Sequence, residues 1–112
     1  MNNEAIKKIA EDNGFDEASR QLFEEVGELI VAVNKYHRAL KTHDVESAFI
    51  DKKKDDIAEE MSDVIVMIME LQHLIGIPNC VIHSIIEQKL NRQLERIYDT
   101  DGFFICRLRR TV

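Results

Sequence analysis

The sequence predicts an all-α fold with a four-helix-bundle core, formed by a single domain over residues 1–112. Only one Pro and four Gly occur in the chain, so folds that need many turns or long loops are disfavoured. Apolar residues recur at intervals of three and four, which is the spacing of one helix face. Helix stops are expected at Asn13-Gly14 and at Gly76-Ile77-Pro78.

The first of the four expected helices is short and runs from about Asn3 to Glu11. Asn13-Gly14 ends it, because either residue tolerates the left-handed conformation of a helix C-cap. Asp16 is then the expected N-cap of a long second helix. The apolar seam expected to face the bundle on this helix follows the spacing 3-4-3-4-3: Phe23, Val26, Ile30, Val33, His37 and Leu40.

The third helix is the expected centre of the core and follows a polar connection from Lys41 to about Lys54. The charged run over residues 51–56 is either a solvated first turn of this helix or a loop over the site. It is apolar nearly all the way round over residues 64–69, which is typical of a helix buried on every side. Glu60 falls within its apolar face and Asp63 lies at the edge of that face, with no Lys or Arg one turn away. Buried carboxylates need a compensating cation, and a metal ion is a compact one. The apolar face itself comprises Ile57, Met61, Val64, Ile68 and Leu71.

The fourth helix is expected to begin after Pro78, with Asn79 as its cap. A basic stripe of Lys89, Arg92 and Arg96 lies beside its apolar side. That apolar side consists of Ile82, Ile86, Leu90, Leu94 and Ile97. The tail, residues 99–112, is too apolar to be left uncovered and favours packing on the core or association into a homodimer or homotetramer. Its apolar residues are Phe103, Phe104, Ile105 and Leu108.

Composition narrows the range of partners and the compartment. The net charge of −6 argues against broad binding of nucleic acid or anionic membranes and suits a protein that gathers divalent cations. The apolar run over residues 64–69 is too short to span a bilayer, and the N-terminus carries no secretory signal. Cys80 and Cys106 form no zinc pattern, so we expect free thiols in a reducing cytoplasm.

Two acidic motifs carry the expected chemistry. They are Glu24-Glu25-Val26-Gly27-Glu28 on the second helix and Glu59-Glu60-Met61-Ser62-Asp63 on the third. Packed antiparallel, the two helices place the carboxylates of Glu25, Glu28, Glu60 and Asp63 around one small volume, where like charges raise one another's pKa. A divalent cation with oxygen ligands relieves this repulsion, and Mg²⁺ also recruits substrate phosphates. Gly27 leaves room for a helix or a ligand to approach.

These residues also fit interpretations other than a metal site. Acidic pairs on helices are ordinarily solvated, and the basic stripe can form ion pairs with Glu87 and Glu95 on its own helix. Here each of two helices carries an acidic pair at i, i+3 that borders an apolar seam, and the presence of both pairs favours the metal site. Glu70-Leu71-Gln72-His73 is a Glu-x-x-His pair of the kind found in di-iron bundles, but those need two such pairs and the chain has one. His73 is therefore expected to be structural.

The two acidic motifs resemble the signature of the MazG-like, all-α nucleoside triphosphate pyrophosphohydrolase superfamily, which is EExxE on one helix and ExxD on a later one. Glu24-Glu25-Val26-Gly27-Glu28 matches the first half, and Glu60-Met61-Ser62-Asp63 matches the second. Gln21, one turn before Glu25, also fits the resemblance. The likeness covers about residues 15–98, before the tail. It implies a four-helix core that dimerises or tetramerises and holds Mg²⁺, or Mn²⁺, at Glu25, Glu28, Glu60 and Asp63.

The activity that the resemblance implies is Mg²⁺-dependent hydrolysis of an NTP or dNTP to the monophosphate and pyrophosphate. Glu24 then holds or deprotonates the attacking water, or supports a metal ligand. The implied substrate contacts are Gln21, Lys89, Arg92, Arg96 and Tyr98. One alternative is a phosphoribosyl-ATP pyrophosphohydrolase-like enzyme, and another is a catalytically silent helical oligomerisation module. The intact acids favour an enzyme, because a silent module gains nothing from costly inward carboxylates.

Overall fold

The computed structural model describes residues 3–42 and 44–101, and this part of the chain is helical apart from short connections. The helices are α1 (Asn3–Leu40), α2 (Ser47–Ile75) and α3 (Asn79–Asp101). The all-α prediction is therefore confirmed. The chain divides into two compact units, Met1–Gly76 with α1 and α2, and Ile77–Val112 with α3. In the described ranges, no helix is both long enough and apolar enough to cross a membrane.

The stop predicted at Asn13-Gly14 coincides with a kink in α1 at which two helical segments meet, and with this kink counted inside α1 the described chain has three helices and not four. α1 continues through Gly14, whose φ of 80° and ψ of 168° lie outside the helical region. This combination of angles is open almost only to glycine. Asp16 lies inside α1 instead of capping a separate helix. A four-helix bundle within one chain is thus not what the described residues form.

The remaining helix ends are set by local hydrogen bonds. Gly76 ends α2 in the left-handed conformation, with φ 84° and ψ 36°, and its N–H donates to the Gln72 carbonyl at 3.0 Å. This agrees with the predicted stop. The Pro78 carbonyl accepts from the Val81 N–H at 3.1 Å, so the first turn of α3 forms directly after the break.

α2 begins earlier than predicted, and the connection from α1 is confined to residues 41–46. The charged run over residues 51–56 is helical, which agrees with a first turn of this helix and not with a loop. Lys52 Nζ lies 2.7 Å from Asp56 Oδ1, one turn further on, and Lys53 Nζ lies 4.9 Å from the centre of the Phe49 ring. Both contacts join residues four apart, which is the spacing that stabilises a helix. His43 falls outside the described residues.

α1 packs against α2 through small side chains, and the predicted seam is not the surface that contacts α2. Leu22, Leu29 and Tyr36 are half-buried on the packing face. The seam side chains lie on a neighbouring face and are exposed, Phe23 by 71% and Ile30 by 56%. Small side chains let two helix axes approach closely, whereas the larger seam residues would hold them apart. The buried residues of α1 are Ala10, Ala18, Ala32 and Ala39.

α2 is buried on one side only, which corrects the prediction of a helix enclosed all round. Met67 is buried, and Val64 and Leu71 are half-buried as expected. Met61 and Ile68, predicted on the same buried face, are each 49% exposed. No large side chain is fully buried anywhere in the described ranges. The first unit therefore keeps much of its apolar surface uncovered.

The predicted core side of α3 is also mostly exposed. Ile82 is half-buried, while Leu90 and Ile97 are more than half exposed, and Ile86 and Leu94 are exposed as well. Cys80 is an exposed free thiol, as expected. Cys106 and the apolar tail residues Phe103, Phe104, Ile105 and Leu108 lie outside the described residues.

Two polar contacts join the start of α1, before the kink, to the end of α2. Asn13 Nδ2 donates to Glu70 Oε1 at 3.1 Å, and the Glu70 side chain is almost completely buried. His73 Nε2 lies 3.1 Å from Glu11 Oε1. Both members of the Glu-x-x-His pair are thus engaged between helices, which fits the structural role predicted for His73.

Candidate metal centre and adjoining cleft

The two acidic motifs meet where α1 and α2 pass each other. The i, i+3 spacing puts Glu25 and Glu28 on one face of α1, and Glu60 and Asp63 on one face of α2. Carboxylate oxygens of Glu25, Glu60 and Asp63 all lie within 4.8 Å of one another. Glu25 and Glu60 are half-buried and Asp63 is exposed, so the cluster lies at the edge of the helix interface.

The environment of Glu25 opposes its negative charge. Burial raises the pKa of the Glu25 carboxyl above its ordinary value of 4.5, and the charges of Glu28, Asp63 and Glu60 raise it further. Burial likewise raises the pKa of Glu60, followed by a hydrogen bond with Glu28 and repulsion from Glu28, Asp63 and Glu59. Glu28, although exposed, therefore belongs to the same electrostatic cluster.

Two oxygens in the cluster are buried without a hydrogen-bond partner among the described residues, Glu25 Oε2 and Glu60 Oε2. A buried acceptor that lacks a partner costs stability, and the cost is larger for a charged group. Structures normally avoid this with a donor, a water or an ion. The two oxygens are therefore open to a hydrogen-bond donor, a water or a cation at this place.

The donor set fits a hard divalent cation. All three clustered groups are carboxylates, and oxygen-only ligands suit Mg²⁺, Mn²⁺ or Ca²⁺ rather than the softer metals. Glu28 lies beside them as a potential fourth ligand. The donor chemistry does not by itself select Mg²⁺ among these ions.

A cleft of about 660 Å³ opens next to the carboxylates, between α1 and α2. Glu24 and Glu28 on α1 and Glu60 on α2 line its acidic end, and Glu24 is exposed there. Gly27 also lines the cleft, and a Cβ at this position would meet nothing within 4 Å. Gly27 therefore faces open space and not the close helix contact that was one predicted reason for it. The other lining residues are Val31, Ala32, Lys35, Lys53 and Asp56.

The cleft has a basic end that was not predicted from the sequence. Lys35 and Lys53 line it together with Asp56. Both lysines also line a second cavity of about 240 Å³, where Arg38 and Phe49 join them. A signal was present in the sequence, because Lys35 follows Glu28 by seven residues and Lys53 precedes Glu60 by seven. Seven residues are nearly two helical turns, so each pair shares a helix face.

The residues predicted to contact substrate fall into two groups. Gln21 Nε2 donates to Glu17 Oε1 at 3.1 Å, on the face of α1 just before the acidic motif. Lys89, Arg92 and Arg96 are exposed on α3, and Tyr98 is half-buried there. These α3 residues belong to the second compact unit, and their participation in the site stays a prediction.

Comparison with known proteins does not extend this description. No protein-family model, curated protein or solved structure matches the chain. The family resemblance therefore depends on the two acidic motifs of the sequence.

Proposed function

We propose that this protein is an Mg²⁺-dependent nucleotide pyrophosphohydrolase that cleaves an NTP or dNTP to the monophosphate and pyrophosphate. The observation that carries the proposal is the convergence of Glu25, Glu60 and Asp63, with two unpartnered buried oxygens among them. The adjoining cleft, about 660 Å³, falls in the size range of small-molecule sites. The resemblance of the two motifs to the MazG-like signature, EExxE and then ExxD, is what favours this chemistry over other metal-dependent reactions.

The residues take distinct parts in the proposed reaction. Glu25, Glu28, Glu60 and Asp63 would hold Mg²⁺, which when bound neutralises charge on the triphosphate. Glu24, exposed and lining the cleft, accepts a hydrogen bond from the attacking water and takes its proton. The water oxygen bonds to the α-phosphorus, the bond from that phosphorus to the bridging oxygen breaks, and pyrophosphate leaves.

We also propose that the protein is a homodimer whose four-helix core combines α1 and α2 from two copies. The support is the apolar stripe left exposed beside the α1–α2 contact. On α1 the stripe includes Phe23, Ile30 and Leu40, and on α2 Met61 and Ile68 are exposed as well. Exposed apolar surface of this extent is typical of an association surface. The free, exposed Cys80 thiol suits the cytoplasm as the proposed location.

A panel of NTPs and dNTPs, assayed with Mg²⁺ for pyrophosphate release, tests the proposed activity. We expect release of pyrophosphate, without orthophosphate, from at least one nucleotide. Glu60→Gln should lower the rate more than about 100-fold, since even outer-shell partners of a metal contribute 10–100-fold. Glu59→Gln makes the same charge change at an exposed neighbouring position and should keep the activity.

The outcomes separate the candidate functions. Near-normal turnover by Glu60→Gln would remove the metal-site assignment. Absence of hydrolysis with every nucleotide would favour the catalytically silent module. Hydrolysis confined to phosphoribosyl-ATP would favour the alternative enzyme of the same superfamily.

A further inference from the structure

The cleft beside the carboxylates changes sign along its length. Its acidic end is lined by Glu24, Glu28 and Glu60, and its other end by Lys35 and Lys53. Seven residues separate Glu28 from Lys35 on α1, which is about 10 Å along the helix axis. The basic end continues into the second cavity, where Arg38 is added. A ligand that fills the cleft meets carboxylates at one end and cations at the other.

The positive charge at the basic end is not neutralised by ion pairs with neighbouring acids. Asp56 is the acid there, and its principal partner is Lys52, whose ammonium lies 2.7 Å from Oδ1. That hydrogen bond holds the pKa of Asp56 below its ordinary value, with Lys53 and Lys35 acting less strongly from further away. Among the described residues, Lys35 and Arg38 form no ion pair within 4.0 Å.

Lys53 has a contact that holds it in place without neutralising it. Its ammonium lies 4.9 Å from the centre of the Phe49 ring, and both residues line the second cavity. A cation over an aromatic face keeps its full charge. This contact also occupies the aromatic ring among those lining residues, so the basic end is better suited to an anion than to a stacked base.

We propose that Lys35 and Lys53, with Arg38, bind the β- and γ-phosphates of the substrate, which leave together as pyrophosphate. This inference rests on the proposed function, because it assumes a nucleotide whose phosphate chain extends from a metal ion at the carboxylates to the lysines. A lysine ammonium binds phosphate as a compact point charge. The basic end then makes binding depend on the number of phosphates, and the protein holds pyrophosphate more tightly than a nucleoside monophosphate.

Calorimetric titration of pyrophosphate and of a nucleoside monophosphate, both with Mg²⁺, tests this assignment. We expect the double variant Lys35→Gln/Lys53→Gln to bind pyrophosphate about 100-fold more weakly, at roughly tenfold per charged hydrogen bond. Its affinity for the monophosphate should change by less than about twofold. The control Lys41→Gln/Lys54→Gln loses the same two charges at exposed positions that do not line the cleft. Screening by solvent should limit its loss of pyrophosphate affinity to about threefold.

Several results would overturn the assignment. These are an equal loss in both double variants, an equal loss for the monophosphate and pyrophosphate, and no measurable pyrophosphate binding by the wild-type protein. Circular dichroism of each variant checks the fold, because Lys35 is exposed but Lys53 is half-buried beside Phe49.

Failure of this inference is distinguishable from failure of the proposed activity. If the wild-type protein hydrolyses a nucleotide but Lys35→Gln/Lys53→Gln binds pyrophosphate normally, the inference falls and the activity stands. If no nucleotide is hydrolysed but the double variant alone loses pyrophosphate, the phosphate site stands without the activity.

Discussion

Glu25 and Glu60 each direct one carboxylate oxygen into a buried position without a hydrogen-bond partner in the described part of the chain. Burial and neighbouring acids raise the pKa of both groups above 4.5. The folded protein therefore binds protons at these groups that the unfolded chain has already released. In the metal-free protein, the two residues lower stability at neutral pH. This cost is understandable if the folded state normally gains a cation there.

A pH dependence follows from the direction of these shifts. A raised carboxyl pKa contributes stability that is full below the unfolded pKa and is lost as pH rises through the folded pKa. Without metal, we expect the free energy of unfolding to fall as pH rises above about 4.5, the ordinary pKa of both carboxyls, with a shallower slope in Glu60→Gln. The lowered pKa of Asp56 acts below this window, because Asp56 is ionised in both states there. Urea denaturation in the presence of a chelator measures the slopes.

The control for the pH experiment is Glu59→Gln, which should keep a slope near that of the wild-type protein. Adding Mg²⁺ at neutral pH should raise the Tm of the wild-type protein more than that of Glu60→Gln, by mass action on the folded state. Identical slopes in the wild-type protein and Glu60→Gln would contradict the electrostatic interpretation.

At the scale of helices, residues with special backbone requirements were the most predictable. Gly76 ends α2 as expected, and the irregularity at Gly14 was located correctly even though α1 continues beyond it. Sequence pattern cannot decide between a stop and a kink, because both use a glycine at positive φ. Contacts between helices decide it, and Asn13 and Glu11 make such contacts with α2.

The packing face of α1 was not predictable from apolar spacing alone. The helix has two adjacent stripes at the same spacing, one containing Ala18 and Ala32 and the other Phe23 and Ile30. Side-chain hydrophobicity favours the second stripe, but the closely packed contact with α2 uses the first. Three of the four predicted carboxylates, Glu25, Glu60 and Asp63, nevertheless lie together, because i, i+3 pairs bordering either stripe reach the same helix interface. The basic end of the cleft was missed, since Lys35 and Lys53 come together only through the pairing of the two helices.

Two glycines of α1 allow a matched test of the kink. Gly14 has φ 80° and ψ 168°, angles that cost another residue about 1–3 kcal/mol. Gly14→Ala should therefore destabilise the protein by about that amount. Gly27 is helical and faces open space, so Gly27→Ala should stabilise it by about 0.5–1 kcal/mol. Chemical denaturation of both variants measures the two effects, and a stabilising Gly14→Ala would show that the kink is not required.

For the molecule as a whole, the distribution of apolar residues is the dominant feature. The buried residues of the first unit are mainly small, whereas large apolar side chains of α1 and α2 face outward. Helices in proteins gain most of their stability from packing an apolar face. The interface among the described residues buries only part of the apolar surface of α1 and α2. A second copy of the protein is the simplest partner for the apolar surface left exposed, because two-fold dimers are the commonest oligomers.

Adjacent residues on α1 permit a direct test of the dimer. Ile30 is 56% exposed on the outward apolar stripe, and Val31 is 49% exposed on the side of the cleft. Light scattering at micromolar concentration should give a dimer for the wild-type protein and a monomer for Ile30→Glu, because a buried glutamate in the interface is strongly unfavourable. Val31→Glu adds the same charge one residue away and should remain dimeric. Circular dichroism should show helical structure in both variants, since each position is exposed within one copy. A monomeric wild-type protein, or loss of the dimer in both variants alike, would refute this interface.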